Sequence, residues 1–149
     1  MAYWLSCTTP KRFESDMAND FAIDGYEEED FEAAIRVEPG DRIACYVLGW
    51  DAFAAICVAR SRVFVDWRQI WPDAVCPLRF ERHAEIALPR DRALPGAALL
   101  PQLGLAGVKA KHGQRAGHAL RESLREIARE DFEVIERAMR RAAGEERNV

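Results

Sequence analysis

The sequence has no apolar run approaching the roughly 18 residues that a membrane helix requires, and its N-terminus lacks a basic stretch followed by an apolar one. Neither a membrane span nor secretion is expected, and the chain is assigned to the cytoplasm. Its four cysteines, Cys7, Cys45, Cys57 and Cys76, form no CxxC pair and stand in apolar, strand-like sequence. That pattern fits reduced, buried thiols and argues against disulfides or zinc. The three histidines, His83, His112 and His118, share no helical spacing and no cluster with cysteine or carboxylate, so neither a metal nor a cofactor is expected. Ser6 and Ser123 lack the elbow that presents a hydrolase nucleophile. Net positive charge is lacking too: 21 Lys and Arg against 25 Asp and Glu leave a formal net charge of -4, which argues against a protein that coats nucleic acid by charge alone. Internal repeats and low-complexity segments are absent.

What is present fits one domain. A chain of 149 residues can bury a single core and leaves no room for a separate catalytic module, so residues 1–143 are assigned to one domain and 144–149 to a frayed tail. Charge is unevenly spread. Phe13 to Glu32 holds nine acidic residues and no lysine or arginine, whereas Gly107 to Arg125 holds Lys109, Lys111, Arg115, Arg121 and Arg125 against Glu122 alone. One end of the molecule is therefore expected to be basic, unless each run is simply a solvated face.

The organising stretch is Arg42 to Arg60. Pro39-Gly40-Asp41 signals a turn before it, Gly49-Trp50-Asp51 breaks it in two, and both arms are apolar at nearly every position. This is a hairpin covered on both faces, as in a barrel wall or a sandwich. Tyr3 to Cys7 reads as a strand. Thr9-Pro10 opens a helix to about Asn19, with Phe13 and Met17 on one face. Asp20 to Gly25 reads as a connector, and Glu28 to Arg36 as an acidic helical turn or two with Phe31, Ala34 and Ile35 on its apolar side. Val63 and Val65 continue a strand pattern into the aromatic cluster Trp67, Trp71 and Pro72, where Pro72 biases Trp71 to an extended conformation and its indole is presented from a loop. Pro77 to Leu88 is a long strand whose phase shifts around Arg82-His83. A short helix is expected over Gly96 to Leu105, a long basic loop over Gly104 to Gly117, and an amphipathic helix over Glu130 to Arg141 with Phe132, Ile135 and Met139 inward.

Six pieces in order carry a resemblance. They are Tyr3-Trp4-Leu5 with Pro10, Val37-Glu38-Pro39-Gly40-Asp41 before Tyr46-Val47, Phe53-Ala54-Ala55-Ile56, Trp71-Pro72-Asp73 with Pro77 and Arg79, Leu124-Arg125-Glu126-Ile127, and Asp131-Phe132-Glu133 with Ile135. In this order they resemble the EVE domain of the PUA-like superfamily, related to the YTH readers. The resemblance implies an α+β fold, a small mixed β-barrel flanked by short helices with an amphipathic helix at its C-terminus, and a cleft for modified nucleobases in DNA or RNA. The chain departs from the family where Ala54-Ala55 replaces glycine, where Ala128 replaces the Ser or Pro that begins the last helix, and where the loop around Lys111-His112-Gly113 lacks a tryptophan.

A modified base is a flat ring, so its reader needs ring faces for stacking and a few groups aimed at its edge. Trp71, Tyr46, Phe53 and Trp50 are the candidate stacking residues, with Ser6 and Thr8 as polar readers. Arg79 and Arg121 are assigned to the base or a neighbouring phosphate, and Lys109, Lys111 and Arg115 to the nucleic-acid backbone. The partner is then DNA or RNA carrying a modified base, bound by a monomer with no catalytic residue. Two alternatives stand beside it. One is an RNA-processing enzyme resembling the ASCH domains, with Lys111, His112 or His118 as acid or base; the other is a protein-interaction module using Phe21, Tyr26 and Phe31 of the acidic first third.

Overall fold

The computed structural model describes residues 1–104 and 122–144. The basic loop, with Lys109, Lys111, Arg115 and Arg121 as well as His112 and His118, lies outside the described residues, as does the tail from 145.

An eight-stranded mixed sheet curls into a half-barrel with short helices around it, the expected α+β small-barrel class. Its strands are β1 (Tyr3–Thr8), β2 (Ile23–Tyr26), β3 (Arg42–Val47), β4 (Ala52–Ala59), β5 (Phe64–Val65), β6 (Leu78–Ala87), β7 (Leu94–Pro95) and β8 (Leu124–Ile127). The path runs β2-β6-β4-β3-β1-β8, with β5 on β6 and β7 on β4. β1 lies parallel to β3 and antiparallel to β8. The Arg42–Arg60 hairpin is central as its apolar arms require, and both its faces are covered. Gly49 at φ +97° and Asp51 at φ +51° close its turn. Asp41 fastens the hairpin to the N-terminal strand: its carboxylate accepts from the Ala2 amide at 2.9 Å and from the Trp4 indole at 3.0 Å.

Two cores lie on opposite sides of the sheet. On the outer side, Leu5, Cys7, Ala44, Tyr46, Phe53, Ile56 and Ile86 pack under the C-terminal helix through Phe132, Ile135 and Met139. On the concave side, Trp4, Ile43, Cys45, Val47, Cys57 and Phe80 meet Phe13, Phe21 and Tyr26. Two bulges hand residues from one side to the other. Ala54 is the extra residue opposite the Cys45–Tyr46 step, and Glu85 the extra residue opposite the Ile56–Cys57 step. The second sends Ala84 to the concave core and Ile86 to the outer one.

Among the described residues the α-helices are α1 (Pro10–Ala18), α2 (Phe31–Ala34), α3 (Gly96–Leu99) and α4 (Arg129–Ala142). Thr9 caps α1 by accepting from the Arg12 amide, with Pro10 in the first turn as its fixed φ favours. α4 starts at Ala128 without a side-chain cap, which Asp131 and Glu130 in the first turn and Arg140 and Arg141 in the last offset through the helix dipole.

Four local expectations change. Ile23 to Tyr26 is a strand on β6 rather than a connector, because its pairing comes from residues more than fifty positions away. Only Phe64–Val65 of the 61–66 stretch pairs. α1 buries Phe13 with Asp16 and leaves Met17 39 % exposed, so its inward face carries a carboxylate in place of the expected methionine. The phase of β6 breaks at Glu85 and not at Arg82, whose charge points into the barrel. Among the described residues, no helix is long and apolar enough to cross a membrane.

Candidate functional site: a buried polar chain ending on an indole

The concave side of the half-barrel carries a connected set of polar groups that the outer side lacks. Ser6 on β1 and Tyr26 on β2 share a hydroxyl–hydroxyl hydrogen bond of 2.7 Å, and the Tyr26 hydroxyl donates to Asp24 at 2.6 Å. Asp24 pairs with Arg82 of β6 at 3.1 Å, and Arg82 pairs with Asp16 of α1 at 3.2 Å. Arg82 also donates to the Phe21 carbonyl at 3.1 Å. Asp16 then accepts from the Trp71 indole N–H at 2.9 Å. All six side chains are buried, which only a paired, hydrogen-bonded arrangement tolerates.

Trp71 lies in a slot with two guanidinium lids. The Arg12 guanidinium sits 4.7 Å from the ring centre and that of Arg79 5.2 Å from it. Against the six-membered part of the ring is Gly25, where a Cβ would stand 2.4 Å from the indole, so only glycine allows this approach. Arg12 donates to the Gly25 carbonyl at 2.9 Å. Arg79, with no exposed surface, donates to the carbonyls of Cys76 at 3.1 Å, of Val75 at 2.9 Å and of Arg68. Beside the slot is a surface cleft of about 180 Å³ lined by Asp16, Asn19, Ala22, Ile23 and Ile70. A larger open groove of about 520 Å³ runs along α3 and α4, but its lining of Leu94, Ala98, Leu99, Gln102, Ala138, Arg141 and Ala142 gathers no comparable set of polar groups.

The acid–base state of the chain follows from its burial. Desolvation holds the Asp16 carboxyl above the ordinary range, against the lowering effect of Arg82. Burial likewise pushes the Tyr26 hydroxyl well up, reinforced by Asp24, so it stays a neutral donor. The Cys7 and Cys76 thiols are pushed up to about 12 by burial, which leaves them without thiolate character near neutrality. All four cysteines are free and buried, as their sequence context predicts. No grouping of three or more candidate metal ligands occurs among the described residues.

The sequence-derived candidates separate in space. Ser6, Trp71 and Arg79 belong to the polar chain and its slot. Thr8 shares the concave side of β1, with its hydroxyl buried and without a partner. Trp50 is half-buried at the hairpin turn, edge-on to Phe13 with ring centres 5.3 Å apart. Tyr46 and Phe53 stack edge-to-face at 4.9 Å in the outer core, behind the sheet, where Gly96 leaves room for the Tyr46 hydroxyl. Five members were not legible as base-site residues: Arg12, Asp16, Asp24 and Arg82 look like ordinary surface charges on a helix or strand, and Tyr26 like one aromatic of an acidic stretch. Trp67, two residues past β5, is 65 % exposed, whereas Trp71 is fully buried.

No protein-family model matches the chain, and no curated protein matches it in sequence. Solved structures do match it in shape. The YTH domain of Pho92, in complex with m6A, aligns over 93 % of this chain and 82 % of its own, with a TM-score of 0.68 and 13 % identity. The YTH domain of Zygosaccharomyces rouxii MRB1, in complex with N6-methyladenosine RNA, aligns over 92 % and 86 %, with a TM-score of 0.64 and 12 % identity. The chain folds like a YTH domain. Rpa0253 from Rhodopseudomonas palustris shares the fold as well, over 97 % of this chain and 94 % of its own, at a TM-score of 0.59 and 17 % identity.

Proposed function

We propose that this protein is a nucleic-acid-binding module that receives a modified base in the cleft beside Trp71. The observation that carries the reading is the likeness, over more than nine-tenths of the chain, to two YTH domains solved with N6-methyladenosine. The chemistry of the concave side supports it. Guanidinium planes and indoles stack on nucleobases, and a buried carboxylate accepts from a base edge. Of the residues assigned to this site within the described chain, Trp71 and Arg79 stand beside the cleft, Ser6 reaches it through Tyr26, Asp24, Arg82 and Asp16, and Thr8 and Trp50 are assigned from the same concave side. Tyr46 and Phe53, fully covered behind the sheet, support the strands that carry it. Arg121 is assigned to the base or a phosphate, and Lys109, Lys111 and Arg115 to the backbone of the strand, the charge supply that a net -4 chain otherwise lacks. The narrower EVE resemblance belongs to the same reading, as does a cytoplasmic setting, in which four free thiols stay reduced.

The test is a binding panel by fluorescence anisotropy with single-stranded RNA and DNA oligonucleotides, each identical except for one central base: adenine, N6-methyladenine, cytosine or 5-methylcytosine. One modified oligonucleotide binding about tenfold tighter than its unmodified twin, a difference of about 1.4 kcal/mol, supports the reading. Equal affinity across every pair, or no saturable binding, overturns it.

A further inference from the structure

Resting on that reading, we infer that Trp71 is an internal plug: its indole occupies the ring slot that a ligand base takes, and base binding expels it. The slot treats the indole as a ligand. It holds a flat nitrogen heterocycle with two guanidiniums over its ring and a glycine against its six-membered edge, the ring N–H received by a carboxylate that is itself paired to a buried arginine. Each of these contacts transfers to a nucleobase of similar width without rebuilding the wall.

The segment that carries Trp71 is built to swing. Arg79 fastens both feet of the loop, Arg68 on one side and Val75 and Cys76 on the other, through their carbonyls. Between the feet, residues 69–74 make no backbone–backbone hydrogen bond with the rest of the described chain. Gln69 bonds the Trp71 carbonyl at 2.7 Å, a contact internal to the tip. Pro72 and Asp73 are exposed, and Ile70 forms one side of the open cleft. The tip is therefore held chiefly by the burial of Trp71 and its bond to Asp16. Moving it outward carries Ile70 with it and joins the cleft to the slot, while Arg79 stays in place as one face of the emptied site.

The plug also sets the chemistry of its competitor. An ionised carboxylate accepts and does not donate, so the incoming ring presents an N–H to Asp16. Adenine keeps one amino N–H after a single N6-methylation and none after two.

The experiment uses the full chain labelled with 5-fluorotryptophan, whose four tryptophans give four ¹⁹F signals. The Trp71 signal is assigned by elimination, replacing Trp4, Trp50 and Trp67 one at a time with Phe, which leaves Trp71 intact. Titration with a single-stranded oligonucleotide carrying a central N6-methyladenine is expected to move the Trp71 signal to the position of a solvent-exposed indole in step with saturation. The same oligonucleotide with N6,N6-dimethyladenine is expected to leave it in place. Trp71→Phe keeps the stack and loses the N–H bond to Asp16, so it is expected to bind the oligonucleotide about tenfold tighter, the equivalent of one charge-assisted hydrogen bond. Saturable binding with the Trp71 signal unmoved, or weaker binding by Trp71→Phe, overturns the plug and leaves base reading standing. No binding by any oligonucleotide overturns both.

Discussion

The two sides of the same sheet are built on different principles. The outer side is dry: Leu5, Ile56, Ile86, Phe132, Ile135 and Met139 are apolar, and their burial is its own reward at roughly 25 cal/mol per Å². The concave side buries two carboxylates, a guanidinium and two hydroxyls that must satisfy one another. Replacing such a set by apolar residues of matching volume commonly leaves a protein as stable or more so. Stability therefore explains the outer side, while the concave side calls for another reason, and the ring slot at its end supplies one.

The comparison breaks first at Arg82. With Asp16 and Asp24 stripped of the buried guanidinium they share, Arg82→Met is expected to destabilise the fold by roughly 3–5 kcal/mol near neutral pH, read from urea unfolding. The loss should shrink on acidification, because the Asp16 carboxyl, already raised by burial, can then take up a proton and shed its charge. A loss that stays constant with pH would mean that the ionic chain is not what Arg82 supports. Ile135→Ala provides the control from the other side. It should cost about 3 kcal/mol through lost transfer and a cavity, and that cost should not vary between acid and neutral pH, since the change lies in an apolar cluster whose thiol and phenol stay protonated there.

How much of this could be read in advance divides along the same line. The hairpin, the capped start of α1 and the inward stripe of α4 follow from local spacing, and all are found where the pattern puts them. The helical half of the outer core was legible for the same reason, since Phe132, Ile135 and Met139 at regular spacing have one way to face; its strand half, where Tyr46 and Phe53 pack, was not. The concave side was not. Alternation along β6 assigns Arg82 to solvent, and helical spacing assigns Asp16 to the wet face of α1. Their burial depends on each other and on Trp71, which is 55 positions from Asp16 in the chain. Nor does any local pattern say that Tyr46 and Ser6 face opposite ways, because that depends on the register Ser6↔Cys45 and Cys7↔Tyr46 between strands some forty residues apart. The usable local feature is Gly25, whose missing side chain admits the close approach of the Trp71 ring.

The smallest expected effect sharpens the comparison most finely. Burial raises the folded pKa of Asp16 above its unfolded value, with Arg82, Trp71 and Arg12 pulling it back and Asp24 adding to the rise. A raised carboxyl binds its proton more tightly in the folded state. Its contribution to stability is therefore present below the unfolded range, near pH 3.9, and is lost as pH rises through the folded value. Asp16→Asn has no proton to lose, so the stability of the natural protein relative to this variant should fall as pH is raised from about 4 towards 7, measured by paired urea melts. Asp66, at the foot of the Trp71 loop, has the opposite sense: its bonds to Arg68 lower it to about 2, and its contribution is lost only as pH falls through that value. A relative stability that climbed with pH would show Asp16 to be stabilised as an anion, an ordinary ion-pair partner. A fall would mark it as a carboxylate held against its own preference, at the spot where the indole N–H is received.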